Sequence, residues 1–366
     1  MSSDMRSLVE LIPRFVAQGI ENPMTPGEVL PLIQARPGYI PMAIIPASHP
    51  RVLWGDVGER AFTEWKFRYS VQRLVEGQLV EGVFSTDLGM LGEVPEPTNT
   101  MIPSGFIFQM SLCGSTLIAR ALARSPRCVV LNEPTPVHEP LWEYLSGGWM
   151  DEVVPRPEQL RLFRNLVLWM GRARSREHRR LFVKFRSWNA LFIEFIRQAF
   201  PEVPCMFVYR LPEEVLVSAM RKEPTGYTRF RYTKAGEYLL QMCRSELDGL
   251  TREQYFAALY CRILKEVARH GAAEIRLLDY QSLSRERFGR ILRGAFRIEL
   301  DAVERELMVE QFDYYSKDDS NSREFAGDSR SKQEEVTVAI RKANEGALQS
   351  LYDSLRRSEQ NLFPPG

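Results

Sequence analysis

Chemistry in this 366-residue chain is concentrated in a glycine turn, three charged residues that follow apolar runs, and one serine on a helix. The run MSLCGSTLIARAL reads as the end of a strand, a short turn and a helix. Such a turn points backbone N–H groups and the positive end of a helix dipole into one hollow, where a phosphate group is held. Gly114 lets the backbone approach a ligand closely, Ser115 and Thr116 add hydroxyls, and Cys113 and Leu117 flank them. A Ser-Thr pair at a helix start also reads as a plain N-cap.

Glu133 follows CVVLN, Lys184 ends LFVK, and Arg210 follows CMFVY. All three fall at the carboxyl ends of expected parallel strands, the edge where open α/β sheets bind ligands. Ser218 stands two helical turns beyond Arg210, so a guanidinium fork and a hydroxyl are placed to share one dianionic phosphate. Glu133 is the candidate general base, and partial burial would lift its pKa. His138, in the proline-rich turn PTPVHEP, is its rival and reads equally as a pocket wall or a surface residue.

The elements that must position these residues come from the hydrophobic pattern. Short apolar runs alternating with helical periodicity after Gly105 indicate βαβ units and a parallel sheet. Strands are expected near 106–109, 128–131, 181–184, 205–209 and 275–278. Helices are expected near 115–124, 158–174, 188–200, 212–221, 252–270, 284–295, 301–312 and 332–357. Residues 1–98 read as a smaller α+β accessory region with helices near 5–17 and 63–76, a strand near 51–54, and a proline-rich stretch with no long helix. The prolines of VPEPTNTMIP mark a linker, after which 99–366 form the main α/β domain. The polar segment 316–332 reads as a mobile loop able to act as a lid. Trp54, Phe62, Trp65 and Tyr69 are expected to be core of the first region.

GSTLIARALARSP…LNEP, followed by PCMFVYRLPEEVLVSAMRK, resembles the two cofactor signatures of sulfotransferases. EIRLLDYQSLSRERFGRILRGAF is similar to a later strand-then-helix segment of that family, so the resemblance covers roughly residues 104–300. It implies a P-loop-type parallel sheet flanked by helices and a sulfuryl donor, 3′-phosphoadenylyl sulfate (PAPS). By the same resemblance Gly114, Ser115 and Thr116 hold the 5′-phosphosulfate, Arg210 and Ser218 hold the 3′-phosphate, and Glu133 is the base, as in the bacterial and tyrosyl-protein branches. Arg323, Arg330 and Lys332 would close over the cofactor. The acceptor would be the hydroxyl of a small molecule, a carbohydrate or a carrier-bound intermediate.

One position departs from that pattern. The family loop reads P-R-S-G-T-T, or has Lys for the Arg, whereas this chain has Leu112 in that place. A single donor stabilising transition-state charge is worth about 2.7–4 kcal/mol, so either another cation acts, with Lys184 the first candidate and Arg186 the second, or the chain is a poor or repurposed enzyme. Sulfuryl transfer needs no metal, and no G-x-x-x-x-G-K-[ST] string is present. Two other readings stay open. One is a P-loop phosphotransferase using a nucleoside triphosphate, with Mg²⁺ on Asp279 or Glu133; the other is a non-catalytic nucleotide-binding or assembly protein.

Composition bounds the rest. A formal charge of +1, with 44% apolar and 11% aromatic residues, describes a globular protein and argues against coating nucleic acid. Residues 1–98 hold 8 basic against 12 acidic side chains, and the remainder 40 against 35. Arg172, Arg174, Arg176, Arg179, Arg180, Lys184 and Arg186 crowd into fifteen residues, as either a solvated helix face or an anion-binding rim. Five cysteines without C-x-x-C spacing, no leader pattern and no long apolar run indicate a reduced, cytoplasmic protein away from membranes. The four histidines have no zinc-ligand spacing. Residues 1–98 would cover the acceptor cleft, form a homodimer contact or recognise a partner.

Overall fold

Eight strands form two sheets in a computed structural model whose described residues are 8–222, 230–270, 275–324 and 327–364. The first sheet is antiparallel, in the order β1 (Tyr39–Ile45), β2 (Arg51–Asp56), β3 (Glu81–Asp87). The second is all parallel, in the order β5 (Cys128–Asn132), β6 (Arg180–Lys184), β4 (Pro103–Gln109), β7 (Cys205–Tyr209), β8 (Ile275–Asp279). The α/β class expected from the alternating apolar runs is therefore observed. No helix among the described residues is long and apolar enough to cross a membrane.

The chain divides into two compact units. One comprises Met1–Ser104, Leu122–Lys184 and Glu194–Val203; the other comprises Gly105–Ala121, Phe185–Ile193 and Pro204–Gly366. The first unit buries Trp54, which stacks near Phe84 at 6.1 Å, meets Trp169 edge-on at 5.9 Å and donates its indole N–H to Thr86. Trp54 and Phe62 are core as expected, whereas Trp65 and Tyr69 are half-buried and face each other with centroids 5.5 Å apart. The second unit buries Phe106 and Phe108 against Phe185, the latter pair stacked at 4.9 Å.

Several elements depart from the sequence expectation. A ten-residue helix, Pro26–Ala35, forms within the proline-rich stretch and contains Pro31. Pro26 opens it, where the missing N–H costs nothing, and Thr25 and Glu28 make a capping box. Pro41 lies inside β1, which is tolerable because β1 is an edge strand with a register shift between Pro41 and Ala43. The single helix expected at 332–357 is three: Ser329–Glu334, Val338–Asn344 and Ala347–Arg357. Thr337 caps the second, and Gly346, at φ +86°, breaks the chain before the third. The start of the helix expected at 5–17 lies partly outside the described residues; its remainder forms Leu8–Leu11 and Pro13–Glu21.

Candidate functional site

β4 and β7 are hydrogen-bonded neighbours in register from Phe106↔Cys205 to Gln109↔Val208. From β4 the chain goes on toward β5 on one side, and from β7 toward β8 on the other. Diverging connections leave a crevice over the carboxyl ends of such a strand pair. The Gly114 turn follows β4 and Arg210 follows β7, so the sheet brings these two candidates to one edge.

The turn is held in an uncommon conformation. Ser111, Leu112 and Gly114 all have positive φ (114°, 50° and 86°). Left-handed backbone is costly for residues with a Cβ and recurs where a loop must present its amides. A Cβ at position 114 would lie 2.8 Å from Leu283 and 2.9 Å from Tyr280, so only glycine fits. The helix Ser115–Ala123 then begins, with Leu117 and Ile118 donating back to the Gly114 carbonyl. Cys113 is fully buried with Sγ on the Val208 carbonyl at 3.1 Å, so it can offer a ligand its backbone only. The Ser115 hydroxyl donates to Gln109 at 2.7 Å, and Gln109 in turn donates to the Phe185 carbonyl. Its single proton is committed, which leaves Ser115 an acceptor here rather than the donor expected. Thr116 and Leu117 are buried beside it.

Arg210 is also buried, and well partnered. Its Nε donates to Glu214 at 2.6 Å, and Nη2 donates to Asp328 at 2.8 Å and to Ser329 at 3.0 Å. The guanidinium lies 4.0 Å from the Tyr280 ring centroid. Burial alone would lower its pKa, but the hydrogen bond to Asp328 and the charges of Tyr280, Asp328 and Glu214 hold it above the usual value. Ser218 is on the same helix, Pro212–Lys222, and donates back to the Glu214 carbonyl at 2.8 Å. Lys332 is buried against Asp328 at 2.8 Å, and Gln333 donates to Glu214 at 3.0 Å.

The polar segment after residue 315 is thus anchored at two points. Arg120, on the helix after the glycine turn, pairs with Asp319 at 2.7 Å and donates to Asn321 at 2.8 Å. Arg210 takes Asp328 and Ser329. Between them Asp318 accepts from the backbone and hydroxyls of Ser320 and Ser322 and from the backbone of Arg323, and these bonds hold its pKa far below the ordinary value. Arg323 stacks on Tyr315 at 4.6 Å, and Arg330 is exposed and pairs with Glu334, so neither joins the Arg210 cluster. Arg120, Asp319 and Asp328 escaped sequence reasoning, because partners 118 or 199 residues apart leave no local signal, whereas Glu214, four residues after Arg210, had an i,i+4 signal that was not used.

The candidates Glu133, Lys184 and His138 lie in the first unit. Glu133 adopts φ +52° directly after β5, and its N–H donates to the Lys184 carbonyl at 2.7 Å. Lys184 Nζ, essentially buried, is 2.5 Å from Glu133 Oε1. The expected base and the expected substitute cation therefore form one ion pair. His138 is buried, not at the surface, with Nδ1 3.2 Å from the Val137 carbonyl. Arg172 and Arg174 are buried as well, on the loop before β6, so the basic cluster is not a solvated helix face.

Asp279, the alternative metal ligand, instead caps Tyr280–Ser282 and accepts from Tyr352 at 3.1 Å; burial raises its pKa. Among the described residues no group of three or more His, Cys, Asp or Glu side chains is arranged to hold a metal ion. No family model matches the sequence, and no curated protein matches it.

Proposed function

We propose that the protein transfers a sulfuryl group from PAPS to a hydroxyl acceptor. The observation that carries this reading is the pairing of the Gly114 turn and Arg210 at the ends of two hydrogen-bonded parallel strands. The turn admits only glycine at its third positive-φ position, which suits close approach of a phosphate to backbone amides. Arg210 meets a carboxylate and a hydroxyl, the oxygen array that a phosphate would replace.

In this reading the Gly114–Thr116 backbone holds the 5′-phosphosulfate, and Arg210 with Ser218 holds the 3′-phosphate. PAPS supplies a sulfuryl group on a good leaving phosphate. Glu133 accepts the acceptor's hydroxyl proton as its oxygen bonds to sulfur, and the sulfur–oxygen bond to the phosphate breaks. Lys184 keeps Glu133 oriented before reaction and balances charge on the departing phosphate in place of the cation that Leu112 replaces. Binding the 3′-phosphate requires Asp328 to leave Arg210, and donation from Ser115 or Ser218 requires their hydroxyls to turn.

The test is calorimetric titration of adenosine 3′,5′-bisphosphate in EDTA beside ATP with Mg²⁺. Binding of the bisphosphate without metal is expected; binding of ATP with Mg²⁺ alone would overturn the reading in favour of phosphoryl transfer. A second reading, a non-catalytic nucleotide-binding protein, is favoured by Leu112. Bisphosphate binding with no turnover on any hydroxyl acceptor would select it.

A further inference from the structure

The loop Arg172–Arg174 holds two guanidinium groups that the proposed reaction does not use. Arg172 is fully buried and Arg174 is 5% exposed. Each lies over one aromatic ring, Trp169 at 4.8 Å and Phe62 at 4.5 Å, and donates to one backbone carbonyl, of Ile33 and Arg60 respectively. Nε and Nη2 of Arg172, and Nε and Nη1 of Arg174, have no hydrogen-bond partner among the described residues. No described carboxylate lies within ion-pair distance of either. Burial, and for Arg174 the charge of Arg172, lower both pKa values to about 10, and both remain cations at neutral pH.

Arg174 lines a cavity of about 360 Å³ in the same unit, together with Arg36, Asp56, Gly58, Glu59, Arg60 and Glu81. Two of its three carboxylates are already taken. Arg36 pairs with Asp56 at 2.7 Å and with Glu81 at 3.4 Å, and Asp56 also accepts from the Gly58 N–H. Arg60 donates only to the Val57 carbonyl among the described contacts, and Glu59 is exposed. The surroundings thus hold four cations, Arg36, Arg60, Arg172 and Arg174, against three carboxylates, Asp56, Glu59 and Glu81; Asp56 acts on Arg172 as well as pairing with Arg36, while Arg60 and Arg174 have no carboxylate within ion-pair distance among the described residues. The unpartnered nitrogens are themselves closed to solvent, so an anion in the cavity would act on these buried cations through its charge.

We propose that this cavity is an oxyanion-binding site in which Arg174 and Arg60 hold a phosphate or sulfate group, with Arg172 adding charge from behind. A phosphate or sulfate group suits the site because four cations stand against three carboxylates there and guanidinium forks match its tetrahedral oxygens. The volume exceeds that of a bare oxyanion and falls in the range of small-ligand pockets, so the group can be free or carried on a small molecule. The site stands independently of the proposed sulfuryl transfer, since all its residues lie in the first unit and Arg210 lies in the second.

His178 provides a reporter: its Nδ1 accepts the Arg174 backbone N–H at 3.2 Å. In the full-length protein, imidazole NMR resonances would be followed while inorganic phosphate is titrated at constant ionic strength set with NaCl. A parallel titration uses glycerol 3-phosphate, and a control uses acetate. The His178 signal is expected to shift saturably with phosphate or its ester. Arg60→Ala should weaken the affinity about tenfold, the loss expected for one charge-assisted hydrogen bond. Arg210→Ala should leave this signal's midpoint unchanged. Tighter binding of the ester than of phosphate identifies a phosphorylated small molecule as the ligand, and the reverse identifies the free ion; either supports the site. No saturable shift, or a shift that NaCl or acetate reproduces, or a midpoint unchanged in both Arg60→Ala and Arg174→Lys, overturns it.

Discussion

Arg210 and Arg174 are both buried guanidiniums over an aromatic ring, but of the two only Arg210 is ion-paired with carboxylates. Glu214 and Asp328 neutralise it, Lys332 binds Asp328, Gln333 binds Glu214, and Ser329 accepts from Arg210 and donates to Glu214. Around Arg174 there is an aromatic face, one carbonyl and another arginine. The contrast separates two ways in which the proposed anion sites are prepared. One carries an internal stand-in that must be exchanged, so ligand binding moves the segment bearing Asp328. The other leaves Arg174 without an ion-pair partner in surroundings that are one charge positive, so ligand binding adds stability to a structure already in place.

The largest expected difference lies in removing each arginine. Arg210→Met strands Glu214 and Asp328 near one another, and breaking a buried pair costs about 3–5 kcal/mol. Arg174→Met removes an unpaired buried charge and should be neutral or stabilising in phosphate-free buffer, as replacement of buried charges by apolar residues of similar size often is. Denaturant unfolding of both variants decides it; equal destabilisation would erase the distinction.

Next in size is the effect on chemistry. Glu133→Gln should leave bisphosphate affinity within about twofold and lower turnover at least 100-fold, in the range of a positioned acid–base group. Lys184→Met should reduce turnover more than binding. Unchanged turnover in this variant would leave the charge that Leu112 fails to supply without a source.

A smaller change is expected when the internal stand-in is weakened. Asp328→Asn removes a charge-assisted contact from Arg210, and bisphosphate affinity should rise roughly tenfold, as measured by calorimetry. Acid should act in the same direction. Burial pushes the Asp328 pKa up, but hydrogen bonds from Lys332 and Arg210 outweigh this and hold it below its ordinary 3.8. The contact is therefore complete above that value and is lost as pH falls through the lower folded one. Cleavage of the segment around Asp328 by an acid-stable protease such as pepsin should quicken as pH falls through the lowered folded value, and Asp328→Asn should remove that pH dependence.

The smallest effect concerns His178, whose pKa burial and then the Arg174 charge lower from 6.5 to about 4. In that window the unfolded chain binds more protons, so stability should rise with pH from 4 to 6.5. His178→Gln should flatten the rise, and phosphate should also reduce it by screening Arg174. Thermal unfolding at several pH values reads both.

Much of the crevice was legible in the sequence because it is built from local patterns. CMFVY and LFVK are apolar runs ended by polar residues, and β7 and β6 stop where those patterns stop. The antiparallel sheet was harder to read: Pro41 hides an edge strand, and the β3 sequence EGVFSTD is half polar. Of the ties that set the state of Arg210, only Glu214, one helical turn away, had a local signal. Asp328 lies in a stretch whose composition resembles a solvated loop, and only tertiary structure brings it to Arg210. The same holds for Arg174, whose crowding with other arginines was visible while its burial was not.

The central claim, that the crevice over β4 and β7 reads a 3′-phosphate through Arg210, is tested most directly by comparing two nucleotides by calorimetry in EDTA. Adenosine 3′,5′-bisphosphate should bind at least tenfold more tightly than adenosine 5′-monophosphate, and the preference should collapse in Arg210→Ala while monophosphate affinity persists. Equal affinity for the two nucleotides in the wild-type protein, or a preference that survives loss of Arg210, would contradict it.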